Sequence, residues 1–341
     1  MGVWGGNLRI VDYLRLPNYS NFLSKLAFQS KNKPLKVDKK ALYTRFAPTP
    51  SGFLHMGNGI SFITTWAIAR AFNGKILLRI DDLDADRMRP EYVEDIFMTL
   101  DWLGLDYNSG PTSSVDFNKN YSQHRRLDLY FEGLKRLQET GLLYECNCSR
   151  RDIQQNSING LYPNTCRNNS VKPSQIHQKD TAWRVKVEKD TFVDFNEWHN
   201  EINPIRLDAE MGDFIVLQKN GLPAYQLASL MDDAYFNINF IVRGQDLLHS
   251  TAAQMHLAQT MRNESFPKTT FFHHSLVKNT EGGKLSKSKN AEALSEWRKN
   301  NLNAFPLFKK AAEWLNLDSE LIEKKEDLIN LIQQNYTFNY R

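Results

Sequence analysis

The chain has 341 residues, enough for one large or two moderate domains, and its 41% hydrophobic and 24% charged content is ordinary for a globular protein. A net charge of +4 permits nucleic-acid binding through a local patch without demanding it. Three cysteines rule out a disulfide framework, and no apolar run approaches the ~20 residues that span a bilayer, so no membrane partner and a cytoplasmic location are expected.

Residues 1–40 are weakly patterned, end in a basic linker from Ser30 to Lys40, and are read as an N-terminal extension to which no role is assigned. Ala41 to Ala47 is predicted to be the first strand. The turn Pro48-Thr49-Pro50-Ser51-Gly52 cannot be helical, because proline lacks the amide proton and fixes φ. A helix is predicted from Gly57 to Phe72, apolar on most of its surface, with Asn73-Gly74 as its stop. Its free N–H groups and partial positive charge suit an anionic ligand such as phosphate. His55 sits at that junction as a donor, and Gly57 lets a ligand approach the backbone. Lys75 to Ile80 reads as a parallel strand, completing a βαβ unit whose ligands bind beyond the strands' carboxyl ends, where His55 and Asp81 fall.

Pro90 opens the next predicted helix and Gly104 stops it; another runs from about Tyr121 to Glu139. All three cysteines then fall close together, as Cys146-Asn147-Cys148 and Cys166. Clustered thiolates bind Zn²⁺ tetrahedrally and fix a loop that has little core of its own. Tyr162 and His177 are both candidates for the fourth ligand, and ligand chemistry alone prefers His177. Ala182 to Val187 is a predicted strand, and Asp213 to Leu230, with a turn at Asn220-Gly221, is predicted to be a hairpin. Strands follow at Ile238 to Val242 and Phe271 to Val277. Gly282-Gly283-Lys284-Leu285-Ser286-Lys287-Ser288-Lys289 brings two ammonium groups, on Lys284 and Lys287, onto a glycine-rich loop. Two or three short helices are expected after Ala291.

His55-Met56-Gly57-Asn58 together with Lys284-Leu285-Ser286-Lys287-Ser288 resembles the two signatures of class I aminoacyl-tRNA synthetases. Arg45-Phe46-Ala47-Pro48, Leu78-Arg79-Ile80-Asp81-Asp82, Trp102-Leu103-Gly104-Leu105 and Ile241-Val242-Arg243-Gly244 resemble the glutamyl branch, and the likeness runs from about 43 to about 290. It implies an α/β, Rossmann-like nucleotide-binding fold. Its first half would be 41–104 and its second half 213–290. An inserted zinc-binding, acceptor-binding subdomain would span 105–212 and a short helical region 291–341. It further implies a ligase that activates L-glutamate with ATP and Mg²⁺ and transfers it to tRNA. His55, Gly57, Lys284 and Lys287 would bind ATP, with His55 and the two lysines catalytic. Arg45 and Arg243 would meet the side-chain carboxylate, Tyr225 would hydrogen-bond the substrate, and Asp81 and Thr49 would hold its ammonium.

Cys-x-Cys followed by Tyr-x-x-x-Cys is similar to the zinc site of short glutamyl-Q paralogues, which adds Tyr162 to Cys146, Cys148 and Cys166 as the implied ligand set. Some fifty residues after the lysine loop are too few for a large anticodon-binding region. The short paralogue acting on queuosine in tRNA(Asp) is therefore favoured over a truncated glutamyl-tRNA synthetase homologue or a silent tRNA-binding module. One departure stands out: the family has Arg-Ile-Glu-Asp where this chain has Arg79-Ile80-Asp81-Asp82, one methylene shorter at the third position.

Overall fold

The computed structural model describes residues 41–83, 88–157, 160–169, 180–199, 202–276 and 293–338. Lys284, Lys287 and His177 lie outside the described residues. In chain order come β1 (Tyr43–Phe46), α1 (Met56–Ala71), β2 (Lys75–Leu78), α2 (Pro90–Trp102), α3 (Leu127–Glu139), β3 (Leu143–Cys146) and α4 (Arg150–Asn156). Four strands follow: β4 (Ala182–Val185), β5 (Phe192–Val193), β6 (Asn196–Glu197) and β7 (Ile205–Arg206). Then come β8 (Phe214–Leu217), α5 (Tyr225–Tyr235), β9 (Phe240–Gly244), α6 (Leu248–Thr260), β10 (Thr270–His274), α7 (Leu294–Lys299), α8 (Phe305–Trp314) and α9 (Lys325–Asn335).

The parallel strands form the platform. β1 pairs with β2 across the α1 crossover, and β9 pairs with β10 across α6, with the short β6 on the far side of β10. The two pairs meet through Asn239, whose side chain accepts from the Tyr43 amide at 2.8 Å and donates to the Ala41 carbonyl at 2.8 Å. Side chains alternate between the faces of a strand, and here alternation sorts them chemically. Phe46, Ile76, Leu78, Phe240, Val242 and Phe272 enter one core with α1, α2, α8 and α9. Leu77, Ile241 and Phe271 enter the other with α3, α5 and α6. Arg45, Arg79 and Arg243 share the parity of that second set, so three guanidiniums emerge on one face of the sheet near its carboxyl edge.

The antiparallel sheet β3-β4-β8 packs beside the second core, and β5 pairs with β7. Gly133 allows α3 to approach α5 closely: a Cβ there would lie 2.9 Å from the Met231 sulfur.

Three expectations are corrected. The segment Asp213–Leu230 is not a hairpin: β8 pairs with β4, a short turn follows, and residues 225–235 are helical. Asn220-Gly221 does reverse the chain, but Pro223 supports only an isolated bridge to Leu217, after which Leu227, Ala228, Leu230 and Met231 bury a helical face. Helix α3 starts at Leu127 rather than near Tyr121. Ser122 is extended, its hydroxyl donates to Asp82 at 2.5 Å, and the Gln123 amide donates to the same carboxylate at 2.7 Å. The last parallel strand ends at His274, earlier than Val277. The sequence reading carries no expectation for β3, α4, β5, β6, β7 or α6.

Candidate active site and cysteine cluster

A cavity of about 530 Å³ opens over the carboxyl edge of the parallel sheet. Its lining includes Arg45, Thr49, His55, Gly57, Asp81, Tyr225 and Arg243, so the structure brings together every described residue expected at the ATP and amino-acid sites. His55 immediately precedes α1. Its amide donates to Asn58 Oδ1 at 3.1 Å, and its backbone forms a bridge with Ala293. Leu54, the residue before it, donates its amide to the Asp95 carboxylate at 2.9 Å, which fixes the turn against α2. The exposed Thr49 and the half-exposed Gly57 border the opening.

One wall of the cavity is a network of buried charge. Arg79 grips Asp81 through Nε at 2.7 Å and Nη2 at 3.0 Å, and reaches Asp233 through Nη1 at 2.7 Å. Burial would depress its pKa, but the carboxylates of Asp233, Asp81 and Asp232 reverse this and hold the guanidinium more strongly protonated than usual. Burial pushes the Asp81 carboxyl above its usual range against the pull of Arg79. The Asp81 amide donates to the Pro48 carbonyl at 2.9 Å, so backbone as well as side chain is held. That double anchoring is how the shortened residue keeps its place at the cavity wall. Arg45 donates to Asp233 at 3.2 Å and to the Val242 carbonyl at 3.3 Å.

Arg243 differs. It is 4% exposed, and Nη1 donates to Gln254 Oε1 at 2.9 Å, but among the described residues Nε and Nη2 have no hydrogen-bond partner. Burial lowers its pKa and nearby Arg45 lowers it further, while the Tyr225 hydroxyl and Asp233 oppose the fall. A buried guanidinium whose Nε and Nη2 are poorly met by the chain, with Tyr225 as their nearest hydroxyl, is suited to an anion, because an unmet donor there carries its full desolvation penalty.

Further residues carry this site that the sequence reading did not single out. Asp232 and Asp233 are adjacent acids, 0% exposed, within the apolar run of α5. Asp232 accepts from Arg126 at 2.8 and 3.0 Å, from Gln123 at 2.9 Å and from the Tyr130 hydroxyl at 2.9 Å, tying the α3 region to α5. Two consecutive carboxylates among buried leucines were the available signal, since such acids need cationic partners.

The second centre lies at the end of β3. The ligand atoms of Cys146, Cys148 and Cys166 all fall within 4.8 Å of one another. The Tyr162 hydroxyl lies 3.3 Å from the Cys146 sulfur and 3.6 Å from that of Cys148, and accepts from the Cys166 amide at 3.0 Å. The Arg184 guanidinium stacks 3.7 Å over the Tyr162 ring. Burial alone would raise the Cys146 thiol, but hydrogen bonding from Tyr162 and Arg184 holds it below the usual value. Asp213 braces the whole, accepting from the Tyr144 hydroxyl at 2.7 Å, Arg167 at 2.9 Å and the Val187 amide at 2.7 Å. Arg167 is thus engaged inside the chain, as is Arg298, which pairs with Asp95. Arg150 and Arg151, on α4 beside Cys148, are exposed. Among the described residues no helix is long and apolar enough to cross a membrane.

The model of the catalytic domain of class I tRNA synthetases (E and Q) matches residues 41–334. A glutamyl-Q tRNA(Asp) synthetase of Neisseria meningitidis is 38% identical over 266 residues, which cover 76% of this chain and 85% of that protein. A glutamate–tRNA ligase of Symbiobacterium thermophilum is 33% identical over 74% of this chain, but only 54% of its own length is covered. The same fold is seen in the crystal structure of a glutamate tRNA ligase from Elizabethkingia meningosepticum, at a TM-score of 0.68 and 20% identity over 88% of this chain and 65% of that one. The chain therefore belongs to the class I tRNA synthetases of the glutamate and glutamine branch, and is a ligase of the aminoacyl-tRNA synthetase type.

Proposed function

We propose that this ligase activates L-glutamate with ATP and transfers it to queuosine in the anticodon of tRNA(Asp). The observation that carries the amino-acid choice is Arg243, buried with Nε and Nη2 idle at the cavity wall. A side-chain carboxylate satisfies both donors, while a neutral amide leaves a buried guanidinium poorly paired. Arg45 lies on the same face, Tyr225 adds a hydroxyl at the rim, and Asp81 with Thr49 receives the ammonium. The carboxylate of the bound amino acid then attacks the α-phosphorus of ATP and pyrophosphate leaves. His55, Gly57 and the start of α1 face the phosphates. Lys284 and Lys287, outside the described residues, are assigned to the departing pyrophosphate from their motif alone. Mg²⁺ accompanies ATP as part of the substrate. The acceptor is inferred from the glutamyl-Q relatives, whose length this chain covers well.

Zn²⁺ fits the cysteine cluster: three sulfurs and one phenol oxygen converge, a donor set suited to a closed structural site. Cys146, Cys148, Cys166 and Tyr162 would hold it, and its role there is to crosslink a region with a small core.

The test offers radiolabelled glutamate and ATP to tRNA(Asp) with queuosine, the same tRNA without it, and tRNA(Glu). Label is expected only on the first. Label confined to the 3′ end of tRNA(Glu) would instead identify a truncated glutamyl-tRNA synthetase homologue. Pyrophosphate exchange should favour glutamate over glutamine and aspartate; a preference for aspartate would mean that Asp81 marks a rebuilt pocket.

A further inference from the structure

Arg243 has a polar neighbour on the sheet to which no role has yet been given. His273 is its register partner on the parallel strand β10, so the two side chains share a face. Beyond His273 stands Glu197 of β6, a buried carboxylate. Its Oε1 accepts from the His273 amide at 2.7 Å, and its Oε2 accepts from the Nδ1–H of the ring at 2.7 Å. With the ring proton on Nδ1, Nε2 is an acceptor, and the Thr251 hydroxyl of α6 lies 2.7 Å from it. Burial lowers the imidazole pKa, Glu197 opposes the fall and the Arg243 cation adds to it, so the ring is neutral at neutral pH.

Thr251 and Gln254 are three residues apart on α6, both fully buried, and so lie on one side of that helix. Gln254 holds Arg243: its Oε1 accepts from Nη1 at 2.9 Å, while its own Nε2 has no hydrogen-bond partner among the described residues. An amide is not the most stable choice there. It leaves a buried donor unmet, which a carboxylate of the same length would not. A carboxylate, however, would pair with the guanidinium and cancel its charge. Gln254, which bonds Arg243, and His273, which faces it in register, are instead both neutral. Asp233 is near enough to raise the Arg243 pKa, but its Oδ1 is taken by Arg45 and Arg79. The guanidinium is thus held in place without being neutralised.

We propose that Gln254 is a positioning residue for amino-acid choice: it fixes Arg243 through Nη1 and leaves Nε, Nη2 and the full charge to the substrate carboxylate. The Glu197–His273–Thr251 chain sets α6 against the sheet at the place where Gln254 can do so. The inference rests on the reading of Arg243 as the carboxylate receptor. Gln254 and Thr251 lie behind the cavity lining, which Arg243 joins and they do not. Their effect on the amino acid therefore passes through Arg243, as the support behind a binding group acts by fixing that group's geometry.

Pyrophosphate exchange with glutamate and with glutamine, on wild type, Gln254→Glu and Arg243→Gln, tests the assignment. In Gln254→Glu the new carboxylate engages the guanidinium, so KM for glutamate should rise about ten- to hundredfold. The preference for glutamate over glutamine should shrink, while KM for ATP and the unfolding midpoint stay close to wild type. A lowered midpoint with both amino acids slowed alike would make Gln254 a packing residue and overturn the proposal. A glutamate KM and a preference equal to wild type would overturn it too. Arg243→Gln separates the two readings. If that variant exchanges glutamate as well as wild type does, the receptor reading itself is wrong. If it does not, and Gln254→Glu still behaves as wild type, only the positioning role is lost. Should Gln254→Glu fail to fold, Gln254→Met decides: it keeps the length and removes the acceptor, so glutamate KM should rise about three- to tenfold with kcat nearly unchanged. An unchanged KM in that variant would refute the role of Gln254. At Thr251, Thr251→Val should raise the glutamate KM about threefold and Thr251→Ser should restore it. Equal values in the two would remove the His273 chain from the proposal.

Discussion

The two polar centres of this molecule are built on different chemistry. At the edge of the parallel sheet, Arg45, Arg79, Asp81, Asp232 and Asp233 are joined by buried ion pairs, and among the described residues Arg243 Nε and Nη2 and Asp233 Oδ2 have no hydrogen-bond partner. At the end of β3, three cysteine sulfurs and the Tyr162 hydroxyl converge, the donor set on which the zinc proposal rests. Their surroundings differ in the same way. The sheet edge sits between two large cores, so its charges are held by packing. The cysteine cluster rests on a core whose buried members, among the described residues, are Tyr144, Cys146 and Tyr162. Where packing is ample the chain prearranges a receptor; where it is scant, a metal can supply the crosslink that packing does not.

The contrast breaks hardest at Arg79. Arg79→Met should destabilise the protein by about 3–5 kcal/mol, because it leaves Asp81 and Asp233 buried without their main cationic partner. Urea unfolding at neutral pH measures this. A loss below about 1 kcal/mol would mean that the network is not what holds the sheet edge.

Arg243 should behave in the opposite way. Its guanidinium is underused by the chain, so Arg243→Gln should leave the unfolding midpoint close to wild type. Glutamate-dependent pyrophosphate exchange should nevertheless fall by about 2–4 kcal/mol in transition-state terms, roughly 30- to 1000-fold. Exchange rates within a fewfold of wild type would remove Arg243 from the amino-acid site.

For the second centre, Cys166→Ser should cut bound zinc from about one per chain to a small fraction. Protease sensitivity should rise between Cys146 and Asn169, while the midpoint of the catalytic core moves little. Metal analysis and limited proteolysis on the same preparation check both halves. Zinc-free wild-type protein with a protected loop would sink the metal assignment.

What the sequence disclosed follows from the same contrast. The turn before α1 was legible because Pro48 and Pro50 restrict the backbone locally while Gly52 and Gly57 free it, whatever surrounds them. The cysteine cluster was legible because sulfur ligands are rare and close in sequence. The charge network behind the cavity was not: Arg79 finds Asp233 at 2.7 Å across 154 residues, and Arg126 meets Asp232 across 106. No local pattern encodes such a pairing. The miscast hairpin has a similar origin. Asn220-Gly221 is a strong turn signal, but whether the returning chain extends or coils was decided by Leu227, Leu230 and Met231 packing into the second core. Trp314 was not singled out in the sequence, and only the fold sets it against His274.

The mildest test concerns the fourth ligand. Tyr162 is the weakest donor of the set: burial and the neighbouring thiols push its phenol pKa up, so its proton leaves only when a cation takes its place. Tyr162→Phe keeps the ring that Arg184 and Tyr144 stack upon, and removes the oxygen. The Cys166 amide, which donates to that oxygen at 3.0 Å, is left without this acceptor, at a cost of about 1 kcal/mol. Three thiolates and a water would still complete a tetrahedron, so zinc should stay bound but with affinity reduced about tenfold. Glutamate transfer should change less than about twofold, since the cavity is shaped by other cores. Chelator competition reports the affinity, and the tRNA-labelling assay reports the transfer. An affinity equal to wild type would make Tyr162 a neighbour rather than a ligand and return His177 to candidacy.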